Sequence, residues 1–413
     1  MKTIKDSVHD HIVVDGVARA LLDTPEVQRL RHVKQLGTVS LVYPSANHTR
    51  FEHSLGVYHL ACEALSQLGI EGRTAERVHA AAILHDVGHG PYSHNVEDVI
   101  ERHTGKHHED VDDLVESGPV GEALCEHDLE PGRVADLIGG EGQYGQLVSG
   151  ELDVDRMDYL VRDAHHTGVP YGTIDSGRLV RELRFVDGEL VLGEGNVQTA
   201  ESLLVARALM NPTVYSHHVA RIGKSMLRRG AERLIANEET TPEGLRRMDD
   251  HDLLVALRTA DSTERLAERL ARRELFKRAV WSEYRDVPDD LLELSHEEVT
   301  EYEAAIADRA GVEPGEVILD LPGYPRMTES TTRVVVGGEI RRLEGQSPLV
   351  RTLRQVQLNQ WRLGVYTPAG ATDRVGHAAE AVLGLDTDGT LISDAVRGLH
   401  TTLDRFGADA RRE

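Results

Sequence analysis

Apolar positions recur at helical spacing along most of the chain, and one run is continuous. Val78, Ala81, Ala82, Ile83 and Leu84 lead directly into His85 and Asp86. The pattern predicts a buried helix over Arg73 to His85 that delivers an imidazole and a carboxylate to its own C-terminal end. Gly88, Gly90 and Pro91 are its stop. Upstream, Ile4 to Val14 alternates loosely and predicts a short strand or hairpin. Asp23-Thr-Pro opens a helix through Val27, Leu30, Val33 and Lys34, ended by Leu36 and Gly37. Asp23 or Thr24 is its cap and Pro25 lies in its first turn. A polar turn over Asn47 to Arg50 starts a second helix, which carries His53 in its first turn and Val57, Leu60, Ala61, Ala64, Leu65 and Leu68 on one face.

Downstream, Asn95 to His103 reads as helical. A further helix is expected from Lys106, with His108 and Glu109 in its first turn. Gly118 to Gly150 is acidic and helical in pieces, broken at Gly139 and Gly140. Glu151 to Gly168 predicts a helix with two faces. Val154, Leu160, Val161 and Ala164 form the apolar one; Asp155, Asp158, Tyr159, Arg162, Asp163 and His166 form a polar stripe. Solvated stripes are usually Glu and Lys. One built from Asp, Tyr, Arg and His points to a site. Leu183 to Val186 and Leu190 to Leu192 predict a hairpin around Asp187-Gly188. A long helix from Val197 to Leu234 is interrupted at Asn211-Pro212, which places Arg207, Tyr215, His217 and His218 near the break. From Pro242 to Arg309 the pattern is helical and highly charged. After Val312 the composition shifts, and Val317 to Leu319, Arg333 to Val336 and Leu363 to Thr367 read as strands, with a hairpin turn at Gly337-Gly338. The expected organisation is a core over 1–236, a charged helical connector over 237–311 and a small α+β region over 312–413.

The 413 residues are enough for a large core and about two or three domains. The formal net charge of -24 argues against broad non-specific nucleic-acid binding, though it leaves room for a local basic pocket. The cationic side is mostly arginine. Such a surface fits adaptation to high salt, where a Debye length of about 3 Å screens self-repulsion. Cys62 and Cys125 give no disulfide framework and fit a reducing cytosol. The polar segment Met1 to Asp10 carries no signal peptide, and no apolar run approaches the roughly 18 residues of a membrane span, so a cytoplasmic location is expected.

His85, Asp86, His89 and His94 lie within ten residues of one another, on a helix end and a tight loop. This pattern suggests a metal or phosphate site. His53, then His85-Asp86, then Asp155, on three helices, resemble the H…HD…D signature of the HD-domain metal-dependent phosphohydrolases. Longer strings are similar to the dNTP triphosphohydrolase branch of that family. They are Asp23-Thr-Pro…Gln28-Arg-Leu-Arg…Lys34-Gln-Leu-Gly, Asn47…Arg50-Phe-Glu-His-Ser-Leu-Gly, His85-Asp-Val-Gly-His-Gly-Pro-Tyr-Ser-His and Asp153-Val-Asp-Arg-Met-Asp-Tyr…Arg162-Asp-Ala-His-His. They lie within residues 1 to 235.

The resemblance implies a mainly α fold: an all-helical HD-domain core with small β-hairpins and a smaller C-terminal α+β region. It implies hydrolysis of a deoxynucleoside triphosphate to deoxynucleoside and triphosphate. His53, His85, Asp86 and Asp155 would bind one divalent metal ion, with Mn, Fe, Ni, Zn and Mg all open for this ligand set. His89, His94 and His108 with Glu109 would lie beside the α-phosphate, with His94 as the favoured proton donor. Arg50 and Arg207 would hold phosphates. Gln35, Leu36, Tyr159, Asp163 and Tyr215 would shape the sugar pocket. Glu97 departs from the family pattern, which has Asp there. In vertebrate members the residues corresponding to Asp23, Gln28 and Arg31 bind an activating guanine nucleotide where subunits meet, and Lys2 would reach its phosphates. A homo-oligomer, dimer or tetramer, is implied, with no membrane partner. Two other readings stay open. One is an HD phosphohydrolase acting on another phosphoester, such as a nucleotide monophosphate or cyclic dinucleotide. The other is a nucleotide-sensing or single-strand nucleic-acid-binding module. Gly323-Tyr-Pro lies far from the HD strings, which gives a GYP-type phosphodiesterase little weight.

Overall fold

A computed structural model describes residues 1–323 and 332–385. The Tyr-Pro of the Gly323-Tyr-Pro string lies outside the described residues. The fold is mainly helical, as expected. The chain forms two compact units, Met1–Glu268 with Met327–Arg354, and Arg269–Arg326 with Gln355–Glu413.

The first unit is organised on three helices. Arg50–Leu68 starts with a capping box in which Glu52 Oε2 accepts from Thr49 N at 2.7 Å, and it ends at a left-handed Gly69. Gly72–Leu84 packs beside it and buries Val78, Ala80, Ala81, Ala82, Ile83 and Leu84 completely. Val154–Thr167 is capped by Asp153, whose Oδ1 accepts from Arg156 N at 2.8 Å, and crosses the Arg50–Leu68 helix. The crossing is tight at Gly56, where a Cβ would overlap the Asp158 carboxylate.

Lys2–Asp6 and Asp10–Val14 pair antiparallel, with Lys2 opposite Val14, so the expected N-terminal hairpin is present. The helix opened by Pro25 is shorter than the apolar spacing predicts. It runs Pro25–Arg29 and tightens to one 3₁₀ turn, Leu30–His32. The backbone then turns extended to pair with residues 48–50: Arg50 N donates to Val33 O at 2.9 Å and Gln35 N to His48 O at 3.0 Å. These partners win over continued helix. A second departure concerns His108 and Glu109. They sit on a loop, and the helix follows only at Asp112–Val115. His107 N donates to Asp110 Oδ2 at 2.7 Å, and this local turn competes with a helical first turn. Pro212 interrupts the long helix into Val197–Met210, a π-helical Asn211–Tyr215 and His218–Ala236.

The expected domain limits also move. Residues 237–268 pack within the first unit, and the supposed helical connector contains a strand, Lys277–Glu283. Arg333–Val336 and Glu339–Arg342 form the expected hairpin, but they belong to the first unit, because Val334 pairs with Leu192 and extends the Leu183–Val186/Glu189–Leu192 hairpin to four strands. The second unit has an antiparallel sheet in the order Lys277–Glu283, Arg362–Thr367, Ile318–Asp320. Val280, Val317, Leu363 and Val365 bury against Ile306 of helix His296–Ala310 and Val375 of helix Thr372–Leu383. Among the described residues no helix is long and apolar enough to cross a membrane.

The Gly56 crossing is directly testable. Gly56→Ala should cost about 1–3 kcal/mol, the range for overpacking a filled interior, and lower the melting temperature by several degrees. A melting curve equal to that of the wild type would show that the helices separate there without penalty.

Candidate metal centre and histidine cluster

Three helices bring the expected metal ligands together. His53 Nε2 lies 2.8 Å from Asp155 Oδ1, 3.3 Å from His85 Nε2 and 3.9 Å from Asp86 Oδ2. His85 Nε2 lies 3.8 Å from Asp155 Oδ1. Atoms bound to one cation at about 2.0–2.2 Å stand roughly 3 Å apart, so this spacing suits a single ion. A second observation supports the fit. Asp86 Oδ2 is buried and, among the described residues, has no hydrogen-bond partner. A carboxylate oxygen without a donor is costly unless a cation meets it. The backbone fixes the His85 ring: Nδ1 donates to Ala82 O at 2.9 Å, which leaves Nε2 facing the other expected ligands.

Charge in the centre is strongly coupled. Burial disfavours the His53 imidazolium, but hydrogen bonds to Asp155 and Asp158 and the nearby Asp86 charge raise its pKa to about 10. Burial would lift the Asp86 carboxyl; the Arg50 guanidinium, then His85 and His89, hold it well below its ordinary value. Arg50 Nη1 donates to Asp86 Oδ1 at 2.6 Å and Arg50 Nε to Ser93 Oγ at 2.7 Å. Arg50, expected on phosphates, is therefore buried against an expected metal ligand, Asp86.

His53 is supported from behind. Its Nδ1 faces Asp158 Oδ2 at 2.7 Å; a carboxylate only accepts, so Nδ1 carries the proton and Nε2 faces the other ligands. Asp158 also receives Arg162 Nε at 2.8 Å and His9 Nε2 at 2.6 Å. Burial would raise the Asp158 pKa; Arg162 and the two histidines keep it well below the usual range. Asp158, Arg162 and Asp163 on the polar stripe of Val154–Thr167 are buried, so that part of the stripe is not a solvated face. His9 and Asp6 carry no signal in the sequence; only the folded hairpin places them.

The histidine cluster adjoins the metal ligands. His89 Nε2 lies 3.3 Å from Asp86 Oδ1. The His89 ring stacks on His108 at 4.0 Å, and His94 stands edge-on to both. Glu97 spans the cluster: Oε2 accepts from His94 Nδ1 at 2.7 Å and Oε1 from His108 Nδ1. The longer Glu arm thus reaches both rings. At Gly88 a Cβ would overlap His108 O, so a glycine is what lets the His108 loop approach. Glu109 is not part of this group; its Oε1 accepts from Ser149 Oγ at 3.2 Å.

On the other side of His53, Tyr159 and Tyr215 meet edge-on at 6.2 Å. Asp163 receives Tyr215 OH at 2.9 Å and His48 Nε2 at 2.9 Å. Burial raises both phenol pKa values, and the Arg207 charge opposes the shift on each, which puts Arg207 beside them. Gln35 Oε1 is buried and, among the described residues, has no hydrogen-bond partner, and Leu36 packs nearby on the core. Further out, Lys2 Nζ reaches Asp23 at 3.4 Å. Arg31 Nε donates to Gln28 Oε1 at 2.8 Å and its guanidinium lies 3.5 Å over the Phe51 ring. The four residues thus form two pairs, Lys2 with Asp23 and Gln28 with Arg31.

Residues 50–163 match the HD domain family and residues 174–394 match the HD associated region. An uncharacterized protein of Methanocaldococcus jannaschii is 33% identical over 89% of this chain and 79% of its own length. The deoxynucleoside triphosphate triphosphohydrolase SAMHD1 homolog of Dictyostelium discoideum is 32% identical over 54% of this chain, which spans about half, 47%, of that relative's length. A phosphohydrolase of Bacteroides thetaiotaomicron has a similar solved structure, with a TM-score of 0.71 at 27% identity over 89% of this chain and 100% of that one.

Two measurements test the metal centre. Asp155→Ala should abolish stoichiometric metal binding, read by elemental analysis; full metal content would reject the ligand set. A cation must also displace the proton from His53 Nε2, whose pKa is about 10. Affinity should therefore rise with pH, by about tenfold per unit between about pH 6 and 9. A flat profile in chelator competition would show that His53 gives up no proton to the metal.

Proposed function

We propose, from the premise that the chain belongs to the HD-domain phosphohydrolases, that it hydrolyses deoxynucleoside triphosphates to deoxynucleoside and inorganic triphosphate. One observation carries this reading. A metal centre, a histidine cluster and a two-tyrosine wall lie side by side around His53 and Asp86. They supply, in order, a phosphate anchor, a proton source and an apolar face for a sugar. The similarity to a dNTP triphosphohydrolase relative supports the same assignment.

The bound cation would polarise a phosphate oxygen and lower the pKa of a water. The chain's own residues do the rest. His53, His85, Asp86 and Asp155 fix the cation, and Arg50 keeps Asp86 ionised so that it remains a ligand. Glu97 accepts a hydrogen bond from the Nδ1–H of His94, which turns Nε2 toward the substrate; once Nε2 has picked up a proton from solvent, it is the atom that passes that proton to the departing 5′-oxygen. Glu97 holds the His108 ring in the same way, beside His89. Tyr215 and His48 orient Asp163 for a sugar hydroxyl. Tyr159 and Tyr215 close the wall against a 2′-hydroxyl.

The deciding assay incubates the full chain and Mn(II) with each dNTP and with GTP, and separates the products by anion exchange. Triphosphate with the free deoxynucleoside is expected, with dGTP turned over faster than GTP. Release of pyrophosphate or monophosphate would favour another phosphoester chemistry. His94→Ala should bind metal normally and turn over about 10²–10⁴-fold more slowly. A wild-type rate would remove the proton-donor role.

A further inference from the structure

We propose that the N-terminal hairpin is a working part of the metal centre, with Asp6 and His9 as positioning residues that hold Asp158 and, through it, the His53 imidazole. This rests on the assignment of His53 as a metal ligand. The Asp158 carboxylate has no exposure and four donors. Oδ1 receives His9 Nε2 at 2.6 Å and Arg162 Nη2 at 3.0 Å; Oδ2 receives His53 Nδ1 at 2.7 Å and Arg162 Nε at 2.8 Å. Each oxygen is thus pulled by one donor on its own helix and one from elsewhere. Removing His9 leaves Oδ1 with the arginine alone, and the carboxylate tilts away from the plane that meets His53.

Asp6 acts at two points. Its Oδ2 pairs with Arg162 Nη1 at 2.9 Å, which fixes the guanidinium that grips Asp158. Its Oδ1 accepts from Val8 N at 2.9 Å and His9 N at 2.8 Å, which shapes the turn that presents His9. Asp6 and Arg162 are both buried. The same turn reaches the sugar-pocket side: Ser7 Oγ lies 3.1 Å from His166 Nε2, and His166 stacks at 4.4 Å on His48, the donor to Asp163. One turn of five residues therefore backs both walls of the site. Second-sphere partners of a ligating histidine commonly set affinity by 10–100-fold.

The test uses the full chain, stripped with chelator, and titrates Mn(II) by calorimetry alongside thermal melting of the stripped protein. His9→Leu, which keeps the bulk and removes the donor to Asp158 Oδ1, is expected to weaken Mn(II) binding about 10–100-fold while its melting temperature stays close to wild type. Asp6→Asn should weaken it as well. Lys5→Gln, an exposed change on the same hairpin at a residue paired with Asp10, should leave binding unaltered. The ¹⁵N shift of His53 Nδ1 should move in His9→Leu and not in Lys5→Gln. Wild-type Mn(II) affinity in both His9→Leu and Asp6→Asn would overturn the inference. So would a loss of affinity that only follows a loss of melting temperature. A wild-type protein that takes up no divalent metal at all would instead overturn the ligand assignment beneath it.

Discussion

A fully buried carboxylate stays ionised only where donors replace its lost hydration. Asp158 is such a group, and much of the first unit is arranged to satisfy it. Arg162 sits one turn along the same helix and supplies two donors. Gly56 gives the facing helix room to pass. His53 and His9 each donate to a different Asp158 oxygen. The interaction fixes the crossing of two helices, the docking of the first hairpin and the tautomer of His53. A merely structural ion pair would need none of these alignments, and an apolar pair of similar volume would pack as well.

Two adjacent non-glycine residues with left-handed backbone lie between the two halves of the site. Tyr92 and Ser93 both adopt left-handed conformations, with φ of 56° each, at a cost on the order of 1–2 kcal/mol per residue. Side chains on both flanks over-determine the turn. Ser93 Oγ receives Arg50 Nε and donates to Lys34 O at 2.6 Å. Asp250 accepts Tyr92 N at 2.5 Å and Lys34 N at 3.1 Å. The strained turn delivers His94 to Glu97 while the preceding helix end delivers Asp86 to the metal side. A relaxed loop would separate the two.

The sequence reveals those parts of the site whose signal is local. His85-Asp86 ends an apolar run, His53 opens a capped helix and Asp155 heads an amphipathic one, so each ligand can be placed by period and cap. Positions fixed by long-range pairing are not legible in this way. Val33 and Gln35 leave the helical pattern because residues 48–50 offer their backbone better partners. His108 lies on a loop because Asp110 closes a local turn. Nothing in the spacing around His9 marks it, since its partner is nearly 150 residues away. The strand Lys277–Glu283 is hidden by its charged flanks, although Ala279 and Val280 are buried in a sheet core.

The four-stranded sheet of the first unit carries a consequence for how the chain is made. Leu192 ends one strand, and its neighbour in the sheet, Val334, follows about 140 residues later, after the first segment of the second unit. At ordinary rates of synthesis that interval lasts on the order of 10 s. During it the Glu189–Leu192 strand, with Leu190, Val191 and Leu192 destined for burial, stands as an open sheet edge. Such an edge invites pairing with any other strand nearby. The exposure is set by the length of the excursion and not by the strand's own residues, so a nascent chain of this design is most vulnerable while residues of a different unit are being made.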